Sequence, residues 1–195
     1  MAFAISRKDI DRLKSVSYEE IRATLKSGDL IFASGDYLVS KAIQKVTHSP
    51  WSHVAIIIRV EEIDRILLLE SVEDMGVRIV PLSKYLHTYE NNRPYKGKII
   101  VARLNVNQAI NIAKLSSFGI DELTKPYDRD EISRILARVA LDKGKKKVDG
   151  EYICSELVYE CFLQTGIEFK YNHLGFISPQ DIWLDSRIEL FERIL

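Results

Sequence analysis

The chain has 195 residues, 46% of them hydrophobic and 29% charged, a balance that predicts one folded domain with a proper core. Its 28 Lys and Arg match 28 Asp and Glu, so no basic excess points to nucleic acid or an anionic surface as partner. No apolar run approaches the ~20 residues of a membrane-spanning helix, and the stretch from Met1 to Ile10 is too short and too soon charged for a secretory signal, so a cytoplasmic protein without a transmembrane segment is expected.

Taken in chain order, Ser17 and Glu20 fit a capping box that opens a short helix ending near Gly28. Residues 1–27 then form an N-terminal helical extension to one domain spanning 1–195. Gly28 and Asp29 turn the chain into a strand from Leu30 to Ala33. From Asp36 to Thr47 the apolar residues Leu38, Val39, Ala42, Ile43 and Val46 fall at helical spacing. Three runs rich in β-branched residues follow, Val54 to Val60, Arg65 to Ser71 and Val77 to Val80. They are separated by polar turns and predict an antiparallel meander. Lys98 to Leu104 is a fourth strand of this group, followed by helices over Gln108 to Phe118 and Asp130 to Leu141. The Gly- and Lys-rich stretch from Asp142 to Gly150, with its basic run at Lys143 to Lys147, reads as a solvated loop. It delivers the chain to a helix from Cys154 to Thr165, ended by Gly166. Ser178 and Pro179 open a last helical turn before a short strand from Ile188 to Ile194. The pattern is α+β, with no internal repeat and no dividing linker.

The chain has two cysteines, Cys154 and Cys161. In a cytoplasmic protein they need no disulfide, and without further Cys or clustered His no metal site or other cofactor is expected. No glycine-rich phosphate loop is present. A thiol attacks only as thiolate, and an ordinary cysteine with a pKa of ~8.5 is mostly protonated at neutral pH. Cys154, in the first turn of its helix, stands near unpaired amides and the positive end of the helix dipole, which favour the anion. The same amides suit a developing oxyanion. Cys161, mid-helix in the apolar stripe, reads as core. His53 opens a strand whose alternation sets His53, Ala55 and Ile57 on one face. With the following strand paired through a turn between Glu62 and Ile63, His53 is expected opposite Glu70 on that face. A carboxylate there fixes the imidazole tautomer and stabilises its cation. Glu73 is the alternative acid. His48, His87 and His173 have no acidic partner at a telling spacing and read as surface or structural.

These residues carry a resemblance. Gly28, Asp29, Leu30 and Ile31 at a first strand, the run from Ser49 through Trp51 and His53 to Ala55, the acid Glu70 after an aliphatic strand, Lys125 to Asp128, and Tyr152 to Leu157 around Cys154 resemble the permuted papain-like YiiX/YaeF-like family. That family is placed in the NlpC-type superfamily, with lecithin:retinol acyltransferase-like enzymes as relatives. The resemblance implies a circularly permuted papain-like fold, an antiparallel sheet or small barrel packed against helices, in which the His precedes the Cys. It implies Cys154 as nucleophile, His53 as base and Glu70 as the residue orienting it, with Trp51 and Tyr127 as cleft residues. It also implies an apolar pocket for an acyl or similar group. The function expected is a cysteine-dependent hydrolase of an amide bond in a small peptide, amino-acid or N-acyl substrate, working through an acyl-enzyme at Cys154. An acyltransferase and a non-catalytic module binding an apolar or amino-acid ligand are the alternatives.

Overall fold

The computed structural model describes residues 4–128 and 152–195. The helix expected over 130–141 and the loop expected over 142–150 lie outside them.

Two short helices lead in. α1 (Arg7–Arg12) and α2 (Tyr18–Ile21) each start at a serine, Ser6 and Ser17, in a capping box closed by Asp9 and Glu20. α2 gives way after one turn to a 3-10 segment, Arg22–Thr24, so it is shorter than its sequence suggested. Six strands then form one sheet: β1 (Leu30–Gly35), β2 (His53–Val60), β3 (Arg65–Val72), β4 (Gly76–Pro81), β5 (Gly97–Leu104) and β6 (Ile188–Arg193). Their order is β4-β3-β2-β1-β5-β6, every neighbour antiparallel. The order is linear, so the arrangement is an open sheet with β4 and β6 at its edges rather than a barrel.

Both faces of the sheet are covered, which is why its central strands read as nearly continuous apolar runs. Alternation sorts them. Phe32, Val54, Ile56, Leu69 and Ile100 point into one core, shared with Leu157, Val158, Cys161 and Phe162 of α6 (Cys154–Leu163) and Leu115 of α5 (Ile112–Asp121). α5 begins at its cap Asn111, later than the predicted Gln108, because the Asn111 side chain accepts the Lys114 amide. Ile31, Ala55, Ile57, Leu68 and Val101 point into the second core. It is closed by Ile21 and Leu25 and by Leu82, Tyr85 and Leu86 of α4 (Leu82–His87), a helix not predicted. The N-terminal segment is tied to the last strand where the Arg193 guanidinium donates to the carbonyls of Ile10, Asp11 and Leu13.

α3 (Leu38–Val46) forms within the expected helical stretch, and the placing of its apolar stripe matters for function. Its apolar stripe exists, but none of its residues is buried and Leu38 is 88% exposed. The stripe forms the wall of an open cavity instead of joining either core. α7 (Pro179–Trp183), capped by Ser178, closes the far side of that cavity.

Candidate active site

β2 begins at His53, so its side chain sits at the end of the sheet, on the face shared with Ala55 and Ile57. The β2–β3 register pairs Ile56 with Leu69 and Ile57 with Leu68. Continued by one pair it sets Glu70 against Ala55, so Glu70 is diagonal to His53 and not directly opposite as expected. A shift of two residues preserves the face, and Oε2 of Glu70 lies 2.8 Å from Nε2 of His53.

Glu70 is fully buried, and each of its oxygens is engaged. Tyr85 donates its hydroxyl to Oε2 at 2.7 Å. Arg78, directly across on β4, donates Nε to Oε1 at 2.8 Å. Burial opposes ionisation, but the His53 hydrogen bond and the charges of His53 and Arg78 outweigh it and hold the carboxyl below its usual range. Glu73, the alternative acid, is exposed on the rim of the neighbouring cleft. Arg78 and Tyr85 are site residues that the sequence did not reveal. Arg78 had a faint signal, as a charged residue in the apolar run Val77 to Val80. Tyr85 had none, because it arrives on the unforeseen α4.

α6 approaches the same end of the sheet from the opposite face, packed on β2 and β3. Its N-cap is Ile153, whose amide donates to the Glu156 carboxylate at 3.2 Å. That leaves the amides of the first turn, Cys154 included, without an intrahelical acceptor. Alternate residues of β3 divide the work: Glu70 faces His53, while Ser71, on the other face, donates its hydroxyl to the Tyr152 carbonyl at 2.7 Å and holds the segment entering Cys154. The buried Ser155 hydroxyl donates to the Ile177 carbonyl at 2.7 Å, fixing the helix start against the 174–179 segment.

Cys154 stands close enough to His53 to act on its ring. Since Nε2 of His53 is engaged by Glu70, Nδ1 is the nitrogen left for the thiol. Burial works against the imidazolium, but the interactions with Cys154 and then Glu70, reinforced by their charges, push the His53 pKa up to about 10. Cys161 lies in the core, where burial, and then the charges of Glu122 and Glu160, push its thiol up.

Two cavities meet at this junction. An apolar slot includes Cys154 and is walled by Ile43 and Val46 of α3 and by Ile153, Phe176 and Pro179. A polar cleft of about 470 Å³ includes His53, Arg78 and the tyrosines Tyr37, Tyr85, Tyr89 and Tyr95. Ser52 and Tyr127 line both. Burial, followed by the charge of Cys154, pushes the Tyr127 phenol well above its ordinary value, so Tyr127 stays a neutral hydroxyl at the junction. Trp51 is not a cleft residue. Its side chain is fully buried, 4.8 Å from the Trp183 ring and 5.5 Å from that of Phe32. Its neighbour Ser52 lines the cavities instead, while Trp51 joins the core of Val54 and Ile56 just before β2 begins. His48, His87 and His173 line neither cavity. Among the described residues no group of three or more His, Cys, Asp or Glu side chains is arranged to hold a metal ion, and no helix is long and apolar enough to cross a membrane.

The fold matches that of the crystal structure of the metalloprotein YiiX from Escherichia coli O157:H7. The TM-score is 0.64, over 85% of this chain and 96% of that one, at 20% sequence identity. No curated protein matches the sequence. A family model, described as permuted papain-like amidase enzyme, YaeF/YiiX, C92 family, matches residues 24–177. That span runs from the lead into β1 to the segment packed against the start of α6, and the chain therefore belongs to the permuted papain-like amidases of the YaeF/YiiX family.

Proposed function

We propose that this amidase-family chain is a thiol hydrolase in which Cys154 is the nucleophile, His53 its general base and acid, and Glu70 the group that orients His53. The observation that carries this reading is the position of His53, 2.8 Å from a buried, charge-compensated carboxylate and close enough to the buried Cys154 for that thiol to raise its pKa. In the first step His53, whose raised pKa lets it hold the proton of the thiol–imidazole pair, leaves the Cys154 sulfur free to attack the amide carbonyl. Charge develops on the carbonyl oxygen beside the first-turn amides of α6, where one such donor is worth ~3 kcal/mol. The carbon–nitrogen bond breaks as His53 returns the proton to the leaving amine. Water, deprotonated by His53, then attacks the thioester and releases the acid and the free thiol.

The proposed substrate is a small peptide, amino-acid or N-acyl amide. The apolar slot supports an aliphatic acyl group, since it contains the sulfur to which that group becomes attached.

The test is the pH dependence of iodoacetamide alkylation in wild type and in His53→Ala, with Cys161 as internal control. Cys154 is expected to react faster than Cys161 at neutral pH and to lose at least ~10-fold of that reactivity without His53. Ordinary thiol titration in both proteins overturns the reading. Mass analysis of turnover products separates hydrolysis from transfer of the acyl group to an added amine.

A further inference from the structure

Resting on the thiol-hydrolase reading, the geometry points to a second assignment: we infer that the tyrosine-lined cleft on the His53 side is the subsite for the leaving amine, and that it selects an amine carrying a flat ring. Cys154 belongs to the slot and not to the cleft; His53 belongs to the cleft and not to the slot. The acyl carbon bonds to sulfur, whereas the leaving nitrogen must come within hydrogen-bond reach of the imidazole that protonates it. The scissile bond therefore crosses the junction at Ser52 and Tyr127, acyl part in the slot and amine part in the cleft.

The chemistry of the cleft indicates what that amine carries. Tyr85 and Tyr95 are buried at the cleft's inner wall, their ring centroids 5.5 Å apart at a 43° tilt. Tyr37 and Tyr89 are only half-buried and stand 6.2 Å apart at a 52° tilt, their rings lining the open space. The Tyr37 hydroxyl accepts the Lys96 amide, and the Tyr89 ring stands nearly at right angles to that of Tyr95, 5.1 Å away. Ring surface is thus what these two offer, and it rewards stacking. At about 470 Å³ the cleft is of a size that holds a ring-bearing small molecule.

A pair of isomeric amides tests the orientation: hexanoyl tyramide, with the aliphatic part on the carbonyl, and its reversed isomer, the pentylamide of hydroxyphenylpropanoic acid. Hexanoyl tyramide is expected to be cleaved with kcat/KM at least ~100-fold above the reversed isomer. Two variants divide the subsites. Val46→Trp, in the slot, is expected to lower the preference for hexanoyl over acetyl tyramide at least ~10-fold. Tyr89→Ala, in the cleft, is expected to lower the preference for hexanoyl tyramide over hexanoyl methylamide about three- to tenfold, the worth of one aromatic pair. Equal cleavage, or faster cleavage of the reversed isomer, overturns the assignment, as does a Tyr89→Ala preference equal to wild type. A hexanoyl nitrophenyl ester, which needs no amine subsite, serves as control. If it acylates Cys154 while neither amide turns over, the cleft assignment fails and the thiol reading survives. If it does not acylate Cys154, both fall together.

Discussion

Oε2 of Glu70 lies 2.8 Å from Nε2 of His53 although the two residues are diagonal, not opposite, across β2 and β3. The contact ties together two buried titrating groups whose pKa values move in opposite directions. His53 is raised from 6.5 to about 10, so its contribution to stability is fully present below pH 6.5 and lost as pH rises through about 10. Glu70 is lowered from 4.5, so its contribution is present above that value and lost as pH falls toward its folded pKa. Stability should therefore be highest between pH 4.5 and 6.5 and decline on both sides. Thermal melts across pH check this: Glu70→Gln should flatten both limbs, and an unaltered profile in that variant would break the assignment.

After His53, Arg78 is the charge that lets Glu70 stay ionised without solvent, and its own side chain is only 20% exposed. Arg78→Gln leaves the carboxylate with His53 and Tyr85 but without that charge. We expect a loss of ~3 kcal/mol in urea denaturation, the scale for removing one partner of a buried pair. The iodoacetamide profile of Cys154 should also move to higher pH, because a less ionised Glu70 supports the imidazolium less. Arg78→Lys should restore the charge and part of the profile. A stability loss with an unchanged profile would limit Arg78 to a structural role.

Ser71 lies along the cleft, and its hydroxyl holds the carbonyl of Tyr152, two residues before Cys154. Ser71→Ala should cost ~1 kcal/mol of stability, the net worth of one such hydrogen bond. The effect on kcat should be larger than on KM, since the change displaces Cys154 more than the slot. The steady-state parameters of the purified variant separate these. A rise in KM with kcat intact would mean that the tether positions substrate instead.

What was legible in the sequence follows from what periodicity encodes. The period of two in a strand specifies a face, so His53 and Glu70 were placed on one face correctly while their pairing was misjudged by a two-residue step that leaves the face unchanged. Cys154 was legible in the same manner, as the residue that opens an apolar helix just after a polar stretch. Periodicity does not say what covers an apolar stripe. The stripe of α3 resembled a core face, but in the fold it walls the slot. Trp51 was ambiguous for the complementary reason: a large aromatic beside a site residue suits a cleft or a core, and only the positions of Phe32 and Trp183 decide. Tyr85 and Arg78 reach Glu70 through α4 and the β3–β4 register, both set by tertiary packing.

Gly76 fixes the route by which Tyr127 reaches the junction of slot and cleft. It has φ +67, and a Cβ there would stand 2.1 Å from the Lys125 carbonyl oxygen and 3.1 Å from the Pro126 Cα, both backbone atoms with little room to yield. The 124–125 segment lies on the edge of β4, where Val77 donates to the Lys125 carbonyl and Thr124 to the Val77 carbonyl, each at 2.9 Å. Gly166, past the end of α6, also has a positive φ, +80, but a Cβ there meets nothing within 4 Å. Alanine at Gly166 should therefore cost only the left-handed strain, ~1 kcal/mol, and leave the kinetics of the folded enzyme alone. Alanine at Gly76 adds a backbone collision, for a total of ~2–4 kcal/mol. It should push Tyr127 away from the junction, raising KM for an acyl amide. Urea denaturation and steady-state kinetics on the two variants make the comparison, and equal costs with equal KM values would show that the close approach of Lys125 to Gly76 does not govern Tyr127.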